Sequence, residues 1–141
     1  MKQIFENGEG NVNVQDKEGN SALHWGALHK DSRSHMEILK FLLNRDDVEV
    51  NIENNEEKQI PLEWAIIGKN IPALKLLIDH GANIHHTDKR QYNPLILATQ
   101  HNLPIVCYYL IHLGIYPRLL PLLPIIFLPF ALPSCKFLSI L

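Results

Sequence analysis

The chain has 141 residues, a length that suits one domain, and a formal net charge of -2 at pH 7 with histidine counted as neutral. Its 15 acidic and 13 basic residues form no basic stripe, so we expect no nucleic-acid partner. Cys107 and Cys135 are too few for a disulfide framework and fit a reducing, cytoplasmic environment.

The beginning of the chain has the pattern of the end of a helical repeat. Gly8 stands where a glycine commonly follows a helix, and an extended finger comes after it. The same order of residues returns around Gly81. We therefore predict a partial repeat at the start of the chain, without a first helix.

The first complete unit begins with a turn. Asp16-Lys17-Glu18-Gly19 is a turn signal, and Ser21 can cap a short helix from residue 22 to about residue 29. Ser34 and Glu37 have the spacing of a capping box, which predicts the start of a second helix. Apolar residues at helical spacing follow and give that helix a buried stripe.

The second unit opens its helices with prolines. Pro61 and Pro72 stand where a first-turn proline is tolerated, because the N–H that proline lacks would be unpaired there anyway. Ile60 occupies the cap position ahead of Pro61 and has no side-chain oxygen, so we expect a weaker helix start. Gly81 is expected to end the second helix.

The third unit carries the same signals. Asn93 can cap a helix that opens at Pro94, and Asn102 stands between two helices, where a left-handed residue is often needed. Pro104 opens the second helix, and Gly114 is expected to end it.

The units recur at a nearly constant interval. Leu23, Leu62 and Leu95 lie in similar apolar segments that are 39 and then 33 residues apart. A period near 33 residues is typical of one kind of stacked helix-turn-helix solenoid, and about three repeats are the minimum for such a stack.

The recurring residues resemble the ankyrin repeat. Residues 16–27 follow its order of turn, cap, leucine, histidine and alanine, and Pro61-Leu62-Glu63-Trp64-Ala65 and His80-Gly81-Ala82-Asn83-Ile84 match it in part. The resemblance implies an all-α ankyrin-repeat solenoid of helix-turn-helix repeats with β-finger loops. The predicted segments are a partial repeat over residues 1–15, repeats over residues 16–54, 55–87 and 88–116, and a hydrophobic, proline-rich tail over residues 117–141.

Two departures from the family pattern have consequences. By resemblance, His24 is expected to brace neighbouring loops through hydrogen bonds. Glu63 and Ile96 replace this histidine in the later repeats, so we expect weaker hydrogen bonds between their loops. Lys58 and Gln91 replace the glycine of the finger turn.

Two segments carry a second resemblance. They are Leu23-His24-Trp25, and Gln100-His101-Asn102 together with the residues 106–111 that follow it. They look like the ankyrin domains of palmitoyltransferases of the Asp-His-His-Cys type, in which the repeats precede transmembrane helices and a cysteine-rich catalytic domain. No Asp-His-His-Cys motif occurs in this chain, so any such activity would belong to a longer relative.

The tail is apolar and rich in proline. Residues 119–135 carry no charge and include Pro121, Pro124, Pro129 and Pro133. An interior proline costs a soluble helix about 3 kcal/mol, and a membrane-spanning helix needs about 20 apolar residues. Two interpretations stay open: sequence foreign to the family from about Tyr116, or a membrane-associated tail with the repeats facing the cytosol.

No constellation of catalytic residues stands out. His85-His86 lacks the spacing of metal ligands and lies on a predicted finger, so we expect solvent-exposed histidines and no metal. Cys107 lies on an apolar helical face and is expected to be a buried thiol. We interpret Trp25 and Trp64 as packing residues, with an aromatic contact to a ligand as the alternative. We expect no enzyme activity and no cofactor.

We interpret the chain as a non-catalytic protein-interaction module that binds a partner through the concave face of its first helices and fingers. By resemblance, the partner-binding positions are Lys17, Glu18, Asn20, Leu28, His29, Glu56, Glu57, Gln59, Ile67, Gly68, Lys89, Arg90, Tyr92, Gln100 and His101. The alternative is a substrate-recruiting ankyrin fragment of a membrane palmitoyltransferase that lacks its catalytic domain. A truncated product without function is a third interpretation.

Overall fold

The computed structural model describes residues 10–115, which contain six short helices. They are α1 (Ala22–Leu28), α2 (Arg33–Leu43), α3 (Pro61–Ile67), α4 (Ile71–Asp79), α5 (Pro94–Gln100) and α6 (Pro104–His112). Within residues 10–115 there is no strand, and the pairing of Gln15 with Ser21 is an isolated antiparallel bridge. The predicted all-α class is confirmed, and the fingers are turns between helices.

The helices form three pairs that stack side by side. Each first helix contacts its own second helix, so α1 packs on α2, α3 on α4 and α5 on α6. The first helices also contact one another in a row, α1 with α3 and α3 with α5, and α2 packs on α4. This nearest-neighbour arrangement is that of a solenoid, in which each unit buries its apolar face against the next.

The core follows the repeat. Leu23, Leu62 and Leu95, the recurring leucines of the first helices, are at most 2 % exposed. Small residues occupy another recurring position, where Ala65 and Ala98 are fully covered. Cys107 is also buried, so the expectation of a buried thiol is confirmed.

The start of α2 differs from the prediction. The helix begins at Arg33, and the Ser32 side chain caps it by accepting a hydrogen bond from the His35 N–H at 3.4 Å. The predicted capping box of Ser34 and Glu37 is therefore wrong. Ser32 rather than Ser34 caps the helix, because the backbone of Ser32 is extended, with φ of −110° and ψ of 112°, as an N-cap residue requires.

The start of α3 is better supported than its cap residue predicts. Ile60 makes no side-chain cap, as expected, but its N–H donates to Glu63 Oε2 at 2.9 Å. Glu63 lies at the third helical position, where a carboxylate also favours the positive end of the helix dipole. This bond offsets part of the weakness expected from Ile60.

Left-handed residues lie where the sequence indicates a break between elements. Gly81 and Gly114 have φ of 90° and 103° and follow the ends of α4 and α6, as predicted. Asn102 has φ of 54°, which confirms the expected left-handed residue between α5 and α6. Lys58 and Gln91 also adopt positive φ, 57° and 64°, so the finger turns keep their geometry without glycine.

Several predictions concern residues outside the described part. Gly8 and most of the partial repeat lie before it, and the whole tail over residues 117–141 lies after it. The repeat boundaries at residues 16, 55 and 88 stay a prediction. No helix within residues 10–115 combines the length and the apolar character that crossing a bilayer would need.

Candidate functional site

The first and third fingers are built on aspartate turns, and charged side chains at these turns are exposed. In the first finger, Asp16 Oδ1 accepts from the Glu18 N–H at 3.0 Å and the Asn20 N–H at 2.8 Å. In the third, the buried Asp88 accepts from the N–H groups of Arg90 and Tyr92 at 2.8 Å and 2.9 Å. Short side chains that bond to backbone amides two and four residues ahead fix such turns.

Neighbouring fingers are joined by backbone hydrogen bonds. The Asn55 N–H donates to the Glu18 carbonyl oxygen at 2.9 Å, and the Lys89 N–H donates to the Glu57 carbonyl oxygen at 2.8 Å. The Asn54 side chain adds a bond to Asn20 Oδ1 at 3.1 Å. The three fingers therefore form one continuous row beside the first helices.

His24 ties the first repeat to the second. Its Nδ1 accepts from the Ser21 N–H at 3.0 Å, and its Nε2 donates to the Gln59 carbonyl oxygen at 2.9 Å. Burial lowers the pKa of His24, and the bond to Gln59 offsets this only in part. These contacts suit a neutral ring with its proton on Nε2. The predicted role of His24 in bracing the loops is confirmed.

A different group performs the same task one repeat later. Glu63, which replaces the family histidine and is fully buried, places its Oε1 3.0 Å from His86 Nδ1. His86 Nε2 is 2.9 Å from Glu53 Oε1. The expectation that Glu63 weakens the bonds between loops is therefore wrong, because the carboxylate recruits a histidine from the following finger.

The position of His86 differs from the expectation that both finger histidines are exposed to solvent. Its side chain is 11 % exposed and lies between two carboxylates, whereas His85 is exposed as expected. Burial alone would lower the pKa of His86, but the bonds to Glu63 and Glu53 outweigh it and raise the pKa. Burial raises the pKa of Glu63, against the bonds from His86 and Ile60. When both carboxylates are ionised, each ring nitrogen must carry a proton, so the ring is then an imidazolium.

The predicted partner-binding residues divide by exposure into three groups. Lys17, Glu18, His29, Glu56, Lys89, Arg90 and Gln100 are exposed. Leu28, Glu57, Ile67, Gly68, Tyr92 and His101 are half-buried. Asn20 and Gln59 are buried. The exposed group lies on the finger tips and at the ends of the first helices.

Three of the predicted positions hold the stack together. Asn20 and Gln59 bond to the neighbouring finger and to His24, respectively. Gly68 follows α3, and a Cβ on it would collide with the Leu28 carbonyl oxygen. We therefore place these three residues in the supporting frame and the others on the candidate surface.

The charges of the finger tips partly pair with one another. Arg90 Nε lies 3.9 Å from Glu57 Oε2, and the guanidinium stands 4.8 Å from the centre of the Tyr92 ring. Exposed pairs of this kind are weak, so a partner can compete for either charge. Burial, together with nearby Lys69, lowers the pKa of His101, the residue that follows α5.

Two tryptophans join the first helices. Trp25 and Trp64 meet edge to face with ring centres 5.2 Å apart, which confirms their packing between adjacent repeats. Their indole N–H groups donate to Asp16 Oδ2 at 3.2 Å and Gln59 Oε1 at 3.1 Å. Trp25 is still 38 % exposed, which the predicted list of binding residues missed. The place of Trp25 in the sequence, directly after His24, could have indicated that its side chain is partly exposed.

No group of three or more histidine, cysteine, aspartate or glutamate residues within residues 10–115 could hold a metal ion. The Glu53, His86 and Glu63 side chains form a hydrogen-bonded bridge. The described residues therefore present exposed, charged finger tips on a hydrogen-bonded scaffold.

The family follows from a direct comparison with known proteins. Residues 28–119 match the family model described as ankyrin repeats, in three copies. The chain therefore belongs to the ankyrin-repeat family, and the predicted solenoid is confirmed. Ankyrin repeats serve protein interaction and are not themselves catalytic.

Two kinds of curated protein are among those similar to the chain. Palmitoyltransferase AKR1 from Lachancea kluyveri is 30 % identical over 113 residues, which cover 78 % of this chain and 15 % of the relative. Palmitoyltransferase ZDHHC13 from Homo sapiens is 32 % identical over 97 residues, which cover 69 % of this chain and 15 % of the relative. Protein phosphatase 1 regulatory subunit 27 from Homo sapiens is 38 % identical over 53 residues, 38 % of this chain and 34 % of that protein. The chain thus spans about 15 % of the length of the palmitoyltransferases it matches, and the predicted similarity to their ankyrin region is confirmed.

Proposed function

We propose that the chain is a non-catalytic module that binds a partner protein through its finger tips and the exposed ends of its first helices. We call this surface the finger face, and it consists of Lys17, Glu18, Trp25, Leu28, His29, Glu56, Glu57, Ile67, Lys89, Arg90, Tyr92, Gln100 and His101. The observation that supports it best is the continuous row of fingers, because backbone bonds fix the tips while their side chains point outward.

The charges on the finger face favour a partner whose surface carries complementary charges. Its tips carry both signs of charge, with Glu56 exposed on the second finger and Lys89 and Arg90 exposed on the third. Charges at the rim of an interface mainly steer association and fix register. Trp25 supplies an aromatic group of the kind that is enriched at the centre of interfaces.

A charge-swap experiment tests the finger face. The variant Glu56→Lys with Lys89→Glu keeps the net charge, and both positions are exposed. Partners of the wild-type chain are identified by crosslinking in cell extract and mass spectrometry, and the affinity of one purified partner is then measured by calorimetry. We expect the swap to weaken binding about tenfold, since it places like charges together.

The matched control makes the same kind of charge swap, but on the second helices. Lys40→Glu with Asp79→Lys also preserves the net charge and changes exposed residues of α2 and α4. This control is expected to bind within about twofold of wild type, as surface changes outside an interface usually do. Equal loss of affinity in both variants would contradict the finger face as the binding site.

We propose as a second candidate that the partner is a protein substrate of S-acylation. Two relatives named palmitoyltransferases match this chain over 78 % and 69 % of its length, which supports the idea. Cells are labelled with an alkyne fatty acid, and proteins captured by the wild-type chain are compared with those captured by the charge-swap variant. Enrichment of labelled proteins with the wild-type chain alone is the expected result. Equal labelling in both captures argues for the general module without this substrate class.

A further inference from the structure

The bridge from Glu53 through His86 to Glu63 needs more hydrogen-bond donors than a neutral histidine has. His86 Nε2 lies 2.9 Å from Glu53 Oε1, and His86 Nδ1 lies 3.0 Å from Glu63 Oε1. An ionised carboxylate only accepts hydrogen bonds, so each contact requires an N–H on the ring. The imidazolium carries two N–H groups and the neutral ring carries one. A neutral His86 can therefore hold one carboxylate and must release the other.

Burial decides which carboxylate is released. Glu63 is fully buried, and its Oε2 already accepts from the Ile60 N–H at 2.9 Å. Loss of His86 would leave Oε1 of this buried group without its donor, which is costly. The Glu53 side chain is 48 % exposed, so water can replace the ring there. A neutral His86 should therefore keep its proton on Nδ1, stay bonded to Glu63 and release Glu53.

The contact that is released joins two fingers. Glu53 directly precedes Asn54, whose N–H and side-chain oxygen both bond to the backbone of Gln59 at 2.9 Å and close the second finger. His86 lies two residues ahead of Asp88, the aspartate that fixes the turn of the third finger. The contact between Glu53 and His86 therefore connects the base of the second finger to the base of the third.

A backbone bond reports on the same connection at the finger tips. The Lys89 N–H of the third finger donates to the Glu57 carbonyl oxygen of the second at 2.8 Å. If the bases of these fingers separate, this bond should open more often. The Asn55 N–H donates to the Glu18 carbonyl oxygen at 2.9 Å and joins the first and second fingers, so it serves as an internal reference.

The charges around His86 favour its protonated form near neutral pH. Glu63 faces the ring from α3 and Glu53 faces it from the second finger, while buried Asp88 of the third finger acts on Glu63. Burial alone would lower the pKa of His86, but the bonds to the two glutamates outweigh it and raise the pKa above 6.5. The ring should therefore lose its second proton as the pH rises above that value.

We propose that Glu53 and His86 form a proton-dependent latch between the second and third fingers, closed while His86 carries two ring protons and open when it carries one. Lys89, Arg90 and Tyr92 of the finger face belong to the third finger, so the latch should hold them in register with the second. This regulation of binding rests on the proposed function, whereas the latch itself belongs to the scaffold.

Hydrogen exchange of single amides in the full chain, read by nuclear magnetic resonance at pH 6.5 and pH 8.5, tests the latch. Each rate is divided by the intrinsic rate at that pH to give a protection factor. Protection of the Lys89 amide should fall about fivefold at the higher pH, as expected for the loss of one partly exposed ion pair. Protection of the Asn55 amide should change less than about twofold. An unchanged Lys89 amide, or an equal fall at Asn55, would overturn the proposal.

Glu53→Gln separates the latch from a general effect of pH. The glutamine carbonyl can accept from the protonated ring, and its amide can donate to Nε2 of the neutral ring. Lys89 protection in this variant should therefore differ less than about twofold between the two pH values. His85→Gln changes the exposed neighbour and should keep the fall seen in wild type. A fivefold fall that persists in Glu53→Gln would overturn the latch.

The affinity of the purified partner at the same two pH values tests the regulation. Wild type should bind about fivefold more weakly at pH 8.5, in proportion to the opening of the latch, and Glu53→Gln should bind equally at both. A pH-independent affinity beside a pH-dependent Lys89 amide would overturn the regulation. If the charge swap on the finger face leaves affinity unchanged, the proposed function fails, and the Lys89 amide still decides the latch.

Discussion

At the scale of single residues, the most constrained contact is the approach of one loop to the next helix pair. Gly68 faces the Leu28 carbonyl oxygen so closely that even a methyl group has no room. Gly26, in contrast, has Leu39 side-chain atoms no nearer than 3.6 Å from the position of an added Cβ. Gly68 thus lies where the second repeat meets the first and has no room for a side chain, whereas Gly26 packs against α2 of its own repeat with room for a methyl group.

The first prediction uses this difference. Gly68→Ala should lower the free energy of unfolding by about 1–3 kcal/mol, the usual cost of forcing an atom into a packed site. Gly26→Ala should be neutral or stabilise by up to about 1 kcal/mol, since Gly26 is helical and alanine favours helix. Urea unfolding followed by circular dichroism measures both. Similar values for the two variants would contradict the collision at Gly68.

The second prediction concerns pH and His86. The pKa of His86 is raised in the folded chain, so its stabilising effect is fully present below the unfolded value of 6.5 and is lost as pH rises through the folded value. The difference in unfolding free energy between wild type and His86→Gln should therefore be larger at pH 5.5 than at pH 8.5. Urea unfolding at both pH values measures it.

His85→Gln is the control for that experiment, because the neighbouring ring is exposed and its substitution should change stability little at either pH. His24 acts in the opposite direction. Its pKa is lowered, so its contribution is present above 6.5 and is lost as pH falls. A difference for His86→Gln that grows with pH would mean that the bridge to Glu63 and Glu53 is not formed.

At the scale of elements, asparagine caps differ in what else they hold. Asn70 caps α4 through the Ala73 N–H at 3.3 Å, and its Nδ2 also donates to the Ala27 carbonyl oxygen of the previous repeat at 3.0 Å. Asn93 caps α5 through the Ile96 N–H at 2.8 Å. One asparagine thus joins two repeats, and the other completes a single helix.

The third prediction compares these caps. Asn93→Ala should cost about 1 kcal/mol of unfolding free energy, the usual effect of losing a cap. Asn70→Ala should cost about 1–3 kcal/mol more, because it also leaves the buried Ala27 carbonyl without its donor. Parallel urea titrations of both variants give the comparison. Equal losses would show that the bond from Asn70 to Ala27 contributes nothing.

The sequence predicted elements better than contacts, for physical reasons. Prolines, glycines and caps act locally, so Pro61, Pro94 and Gly81 could be placed from sequence alone. Ser32 and Ser34 are both able to cap, and only the path of the connector decides between them. The pairing of Glu63 with His86 joins residues 23 positions apart through folding, so nothing in the local pattern showed it. The candidate surface was predicted only by position in the repeat, and exposure then separated Asn20 and Gln59 from it.

At the scale of the whole molecule, the stack has a centre and two sides. The first helix of the second repeat, α3, contacts α1 on one side and α5 on the other, whereas α1 and α5 each have α3 as their first-helix neighbour within the described residues. In a solenoid, stability is shared between units and their interfaces, so the unit with two interfaces should open least often.

The fourth prediction follows from that arrangement. Amide hydrogens of α3 should exchange with deuterium more slowly than those of α1 and α5, by about tenfold for each 1.4 kcal/mol of additional protection. Hydrogen exchange of the full chain, read by mass spectrometry, tests this at the level of single helices. Fastest exchange in α3 would contradict stabilisation by nearest neighbours.

Two of the hydrogen bonds that join the fingers use backbone atoms alone, with the Asn55 and Lys89 amides donating to the Glu18 and Glu57 carbonyl oxygens. Their formation does not depend on which side chains these residues carry. Single substitutions can therefore change the side chains at the finger tips while the spacing between the fingers stays the same. An inserted or deleted residue would instead shift the register of every later finger, so new specificities in this scaffold should arise by substitution.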